Sequence, residues 1–223
     1  MKIDFKIQIL SPSKQLTPQI IYDQYNWRQT HCYTGVSTIQ LGDVKEPIWW
    51  NRPLKSDTAV KLEQDGLYSY NLPYINDHFF SKTSHNLLVG QGSVPLIVMI
   101  KMNTAWTIKQ RNLLKNFIRQ AVYDALIELG VSKEKLHTPN NDMLYEGKKF
   151  MGFESKEHGG WFGAAAVITL NYSQEEKIFK RLTGENAFKR PICGIQEEAN
   201  NIFTKQQFID TLLKHLKKYT DQL

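Results

Sequence analysis

The stretch Pro139–Gly160, reading PNNDMLYEGKKFMGFESKEHGG, constrains the fold of this chain more than any other. Glu146-Gly147 is a two-residue turn signal between Met143-Leu144-Tyr145 and Lys148-Lys149-Phe150-Met151, and it predicts a tight β-hairpin. On the returning strand, alternation sends Lys148 and Lys149 to opposite faces, so one of the two points inward. An ammonium that turns inward must be paired or take part in chemistry, because an isolated buried charge is too costly to keep. Alternation alone does not say which lysine it is.

The rest of the chain supplies elements for this hairpin to pack against. Ile3, Phe5, Ile7 and Ile9 alternate with polar residues and read as a half-buried strand. Thr17-Pro18 opens a helix, with Leu16 and Ile21 placed for a hydrophobic staple, that fades by Gly35; Val36–Leu41 reads as a strand. Residues 42–85 show poor periodicity and many aromatics, which predicts either aromatic loops pinned to the core or one wall of a binding site. Val94–Met102 predicts a central strand. Thr107–Leu129 predicts a long helix with Thr107 and Gln110 as a capping box and Gly130 as its stop. Ala164–Asn171 reads as a strand, Ser173 with Glu176 as the start of a short helix closing near Gly184, and Thr204 with Gln207 as the start of the last helix. Phe203 and Phe208 form a staple across that last start.

Composition excludes several classes. With 41% hydrophobic and 22% charged residues among 223, the chain can bury a sizeable core and is not a disordered sequence. Its apolar runs are too short to span a membrane, and its first residues lack the apolar region of a signal peptide. Cys32 and Cys193 are the two cysteines, so a disulfide framework is not expected and a reducing cytoplasm is. The net charge of +6 favours acidic partners, but no dense Lys/Arg run demands nucleic-acid binding.

Four features could carry chemistry. Lys149 stands on the hairpin. Cys193 lies in RPICGIQEE, close to Lys189 and Arg190, whose charge would favour a thiolate. Gly90-Gln91-Gly92-Ser93 feeds the central strand and can offer backbone amides to an anion, although it fits neither nucleotide-binding fingerprint. His85 and His158 are loop histidines, the latter ahead of Gly159-Gly160. The spacing of His, Cys, Asp and Glu suggests no metal site.

Taken in order, ALIELGV, NNDMLYEGKKFMG, HGG, RPICGI and the capped last helix resemble the family of lipoyl/octanoyl transferases and lipoate–protein ligases, which shares a fold with biotin–protein ligases. The resemblance runs from Ser84 to the C-terminus, with a fainter echo in STIQLGDVKEP. KKFMG resembles the family's Lys-x-x-Gly, which makes Lys149 the counterpart of its catalytic lysine and Gly152 the glycine that follows. Ile192-Cys193-Gly194-Ile195 resembles the Pro-Cys-Gly loop of the octanoyltransferase branch, with Ile192 where proline is expected. Asn141-Asp142 resembles the ligase branch, and TSH followed by Gly90-Gln91 echoes the Thr-x-His…Gly-Gln segment of the transferases. VGQGS departs from the arginine-bearing glycine turn of both branches, and the Gly-Arg-Gly-Arg of biotin ligases is missing.

The resemblance implies one α/β (α+β) domain over residues 1–223, a mixed β-sheet covered by helices like the biotin/lipoate protein ligase catalytic domain. It implies a Cys193–Lys149 dyad passing an octanoyl or lipoyl group from an acidic acyl carrier protein to a lysine of a lipoyl carrier domain, with no cofactor. His85, Gly90, Gln91, Gly92, Asn141, Asp142, Gly152, His158 and Gly159 would bind substrate. The ligase branch instead uses ATP and Mg to form an acyl-adenylate, its lysine stabilising phosphate charge. A relative that binds without catalysis is the third reading.

Overall fold

The computed structural model describes residues 5–9, 37–41, 48–51, 60–64, 67–71, 86–102, 107–139, 141–158, 160–173, 176–177 and 190–222. Their centre is a seven-stranded sheet in the order β1-β2-β7-β11-β10-β9-β8. Its strands are β1 (Phe5–Ile9), β2 (Ser37–Leu41), β7 (Ser93–Lys101), β8 (Leu136–His137), β9 (Asp142–Tyr145), β10 (Lys148–His158) and β11 (Trp161–Thr169). Only β1 and β2 pair in parallel; every other ladder of this sheet is antiparallel, so the sheet is mixed as the resemblance implied. The strand expected to be central, β7, is interior but third in the order, between β2 and the middle strand β11; it is buried at Val94, Leu96, Val98 and Ile100.

One face of this sheet is covered by two helices. The first, α1 (Ile108–Glu128), starts at Thr107, whose side chain caps Gln110 N–H while the Gln110 side chain returns to the Thr107 N–H. It buries Leu114, Phe117, Ile118, Ala121, Val122, Ala125 and Leu126. A short helix α2 (Ile195–Glu198) follows the Cys193 loop, and α3 (Lys205–Thr220) repeats the Thr-x-x-Gln capping box at Thr204 and Gln207. The Phe203 and Phe208 rings close the predicted staple at 6.1 Å between centroids. Across the seam between α1 and α3, Glu128 holds Lys214 at 2.6 Å and His215 at 2.8 Å, and the Tyr219 hydroxyl donates to Asp124 at 2.5 Å.

Three strands of a second, four-stranded sheet, ordered β4-β5-β3-β6, fall in the segment in which periodicity is poor, and β6 follows directly after it. Its strands are β3 (Ile48–Asn51), β4 (Val60–Gln64), β5 (Leu67–Asn71) and β6 (Asn86–Val89). Residues 42–85 are therefore not aromatic loops alone. The β4–β5 register sets Gln64 opposite Leu67, with Asp65-Gly66 between them, a hairpin signal in its own right. The helix expected from Thr17 falls outside the described residues, and of the helix expected from Ser173 only Glu176 and Lys177 are described as helical.

Candidate functional site

The hairpin forms as its turn demands. Glu146 and Gly147 both take positive φ, 48° and 83°, the geometry of a two-residue turn matched to the twist of paired strands. Tyr145 pairs with Lys148 and Leu144 with Lys149, but the next pair is Met143 with Met151. One extra residue on β10 faces β9 there: a β-bulge. The bulge turns Phe150 and Met151, which are consecutive, both into the hydrophobic core.

The two lysines separate as alternation required. Lys148 Nζ pairs with Glu198 Oε1 at 2.7 Å, and this pairing raises its pKa. Lys149 Nζ pairs with Asp142 Oδ1 at 2.7 Å, with about a third of the lysine side chain exposed. Arg190 Nη1 approaches the other oxygen of the same carboxylate, Oδ2, at 3.9 Å. Two cations thus converge on one half-exposed carboxylate, and the cluster carries a formal charge of +1. Asp142 lies directly opposite Gly152, and Asn141 beside it takes the Phe153 N–H on its carbonyl at 2.9 Å.

The RPICGI loop is laid against β10 at this lysine. The Lys149 N–H donates to the Pro191 carbonyl at 2.7 Å, and the Cys193 N–H donates to the Lys149 carbonyl at 2.9 Å, bridging Lys149 to Ile192 in parallel. Cys193 follows the bridged residue, so its side chain leaves on the face opposite that of Lys149. There it is 3% exposed within the core, its thiol directed at the Lys148 carbonyl at 3.8 Å. Burial, followed by the nearby Glu198 carboxylate, pushes the thiol up to about 12, and the charge of Lys148 offsets this only in part. The thiolate expected from Arg190 is not produced, because Arg190 is turned to Asp142 and burial dominates at the sulfur. The Cys193 and Lys149 backbones meet; their side chains do not share a hydrogen bond.

The glycine loop stands at the same end of the sheet and is occupied by the fold itself. The Gly92 carbonyl accepts the Leu170 and Asn171 N–H groups at 2.8 and 3.0 Å, and a Cβ on Gly92 would sit 1.9 Å from the Asn171 carbonyl oxygen. The Gln91 carbonyl accepts Lys205 Nζ at 2.9 Å, and that of buried Gly90 accepts the Ser93 N–H at 3.0 Å. These residues seat the start of β7 on the end of β11. His158 is placed elsewhere: it ends β10, an 11-residue strand begun at Lys148, so roughly 30 Å of extended chain separates it from the lysines. His85 and Gly159 lie outside the described residues. Arg190 is the site residue that sequence reasoning assigned to the wrong partner, since its proximity to Cys193 along the chain hid its approach to Asp142 in space.

No family model matches the chain, and no curated protein matches it in sequence. Solved structures do. A bi-partite lipoate protein ligase of Thermoplasma acidophilum, studied with its E2 lipoyl domain, superposes with a TM-score of 0.60 at 10% identity, covering 98% of this chain and 84% of that one. Lipoate-protein ligase A bound with ATP gives 0.58 at 11% identity over 98% of this chain and 85% of that one. The chain has the fold of the lipoate and biotin protein ligases. The biotin protein ligase of Aquifex aeolicus, in complex with biotin and ATP, gives 0.51 at 12% identity, covering 87% of this chain and 66% of that one.

Proposed function

We propose that this lipoate/biotin ligase-like domain is an ATP-dependent ligase that joins lipoate, or a similar medium-chain carboxylic acid, to a lysine of a lipoyl carrier domain. The observation that carries this reading is the division at β10. Lys149 and Arg190 converge on Asp142 in a half-exposed cationic cluster, while the Cys193 thiol is buried and held protonated. A covalent transferase needs an accessible thiolate near its base. A ligase needs positive charge beside the phosphate that activates the acid.

The residues present suit ATP: the Lys149–Arg190 pair offers two cationic donors to a phosphate, and Asp142 offers a carboxylate to the accompanying Mg. ATP supplies the driving force by activating the carboxylic acid for attack by an amine. In this reading Lys149 would set its ammonium beside the phosphate oxygens, and Arg190 would neutralise part of the remaining charge. The acidic surface expected of a lipoyl carrier domain complements the net positive charge of this chain.

Incubation with lipoate, ATP, Mg and a recombinant lipoyl domain tests the proposal. A lipoyl mass gain on the domain that requires ATP supports it; a gain from octanoyl-carrier protein without ATP supports the transferase instead. A binding protein without turnover is the second reading, favoured by the glycine loop, where VGQGS carries no arginine and the Gly92 carbonyl serves β11. Lipoate binding with no mass gain on any acceptor would select it.

A further inference from the structure

We infer that the β-bulge at Phe150 and the missing side chain of Gly152 together form the positioning device for the Lys149 amine; this rests on the site proposed above. In an unbroken strand, residues 149 and 152 are an odd number apart and point to opposite faces. The register shift between Lys149 and Met151 inserts one residue and restores the two positions to a common face. Three observations agree on this. Phe150 and Met151 both enter the core, while Lys149 lies opposite Leu144 and Gly152 opposite Asp142. Leu144 and Asp142 are two apart on β9 and so share a face.

On that face the lysine runs forward along its own strand, over Gly152, to reach Asp142. A Cβ built on Gly152 would lie 3.2 Å from Lys149 Nζ and 3.3 Å from its Cε. Both distances are shorter than ordinary carbon contacts, so any side chain at 152 displaces the end of the lysine rather than the backbone. Gly152 is therefore a positioning residue. Its absent methyl is the slot in which the amine is held beside the carboxylate, and the three-residue Lys-to-Gly spacing works only because the bulge corrects the parity.

Gly152→Ala and Gly152→Val test this in the full chain, with Lys149 labelled by a succinimidyl ester and quantified by peptide mass spectrometry. Lys148, paired independently with Glu198, is the internal control. Displacement of the amine predicts a several-fold change in the Lys149 labelling rate in Gly152→Ala and a larger one in Gly152→Val. Lys148 labelling and the thermal midpoint of Gly152→Ala should stay near wild type. Unchanged Lys149 labelling in both variants overturns the inference, as does an equal change at both lysines. In the ligation assay the same alanine variant should lose about tenfold in kcat with KM for lipoate nearly unchanged. A shifted Lys149 rate in the Gly152 variants, together with a wild-type protein that ligates nothing, upholds the positioning device and removes the ligase reading.

Discussion

Lys149 and Cys193 are joined through their backbones and diverge at their side chains, and this divergence decides the chemistry open to each. The lysine keeps solvent access and a carboxylate partner; the thiol is sealed among apolar neighbours. With its pKa pushed up to about 12 from an ordinary 9.0, Cys193 carries about 10³-fold less thiolate at pH 8 than a free cysteine. Alkylation of the Cys193 peptide by iodoacetamide at pH 8 should therefore be at least a hundredfold slower in the folded protein than after denaturation, by mass spectrometry. Comparable rates would mean that the thiol is reachable. Lys149 could be read in the sequence as one of two lysines on a predicted hairpin, and the resemblance selected it. The fate of Cys193 could not be read, because burial depends on which face of the bridged loop it takes.

Hairpin, bulge and caps were unequally legible. Glu146-Gly147 specifies its own turn through local φ preferences, and the two Thr-x-x-Gln boxes specify helix starts through local hydrogen bonds. Gly147→Ala should cost about 1 kcal/mol in urea denaturation, since φ of 83° disfavours a Cβ. Thr204→Ala should cost about 1 kcal/mol through the lost cap on α3. The bulge leaves no comparable signature. Phe150 and Met151 are two adjacent apolar residues that a plain alternation assigns to opposite faces, and the core's demand for both is a tertiary fact. The β4–β5 hairpin shows the opposite failure: Asp65-Gly66 stood in plain view, but the surrounding aromatics masked the strands on either side.

For the whole molecule, a sheet covered by helices was readable from periodicity and its mixed pairing only from the resemblance, whereas the second sheet was read from neither, because strands of four or five residues are too short to show a clear alternation. The buried thiol also makes stability depend on pH. Cys193 is an acid whose folded pKa lies above its unfolded value, so its contribution is intact below pH 9 and is lost as pH rises from 9 toward 12. At pH 10.5 the loss is about 2 kcal/mol. Urea melts at pH 8 and 10.5 should therefore show a smaller pH-dependent loss in Cys193→Ala than in wild type; equal losses would contradict a protonated buried thiol. The ligase reading concerns the other side of the same strand. Its most direct test is the intact mass of a lipoyl domain incubated with lipoate, Mg and wild-type, Lys149→Ala or Cys193→Ser protein, with and without ATP. The account predicts an ATP-dependent lipoyl adduct that Cys193→Ser retains within a few-fold and Lys149→Ala reduces at least a hundredfold. An adduct that forms without ATP from an octanoyl-carrier donor and disappears in Cys193→Ser would contradict it.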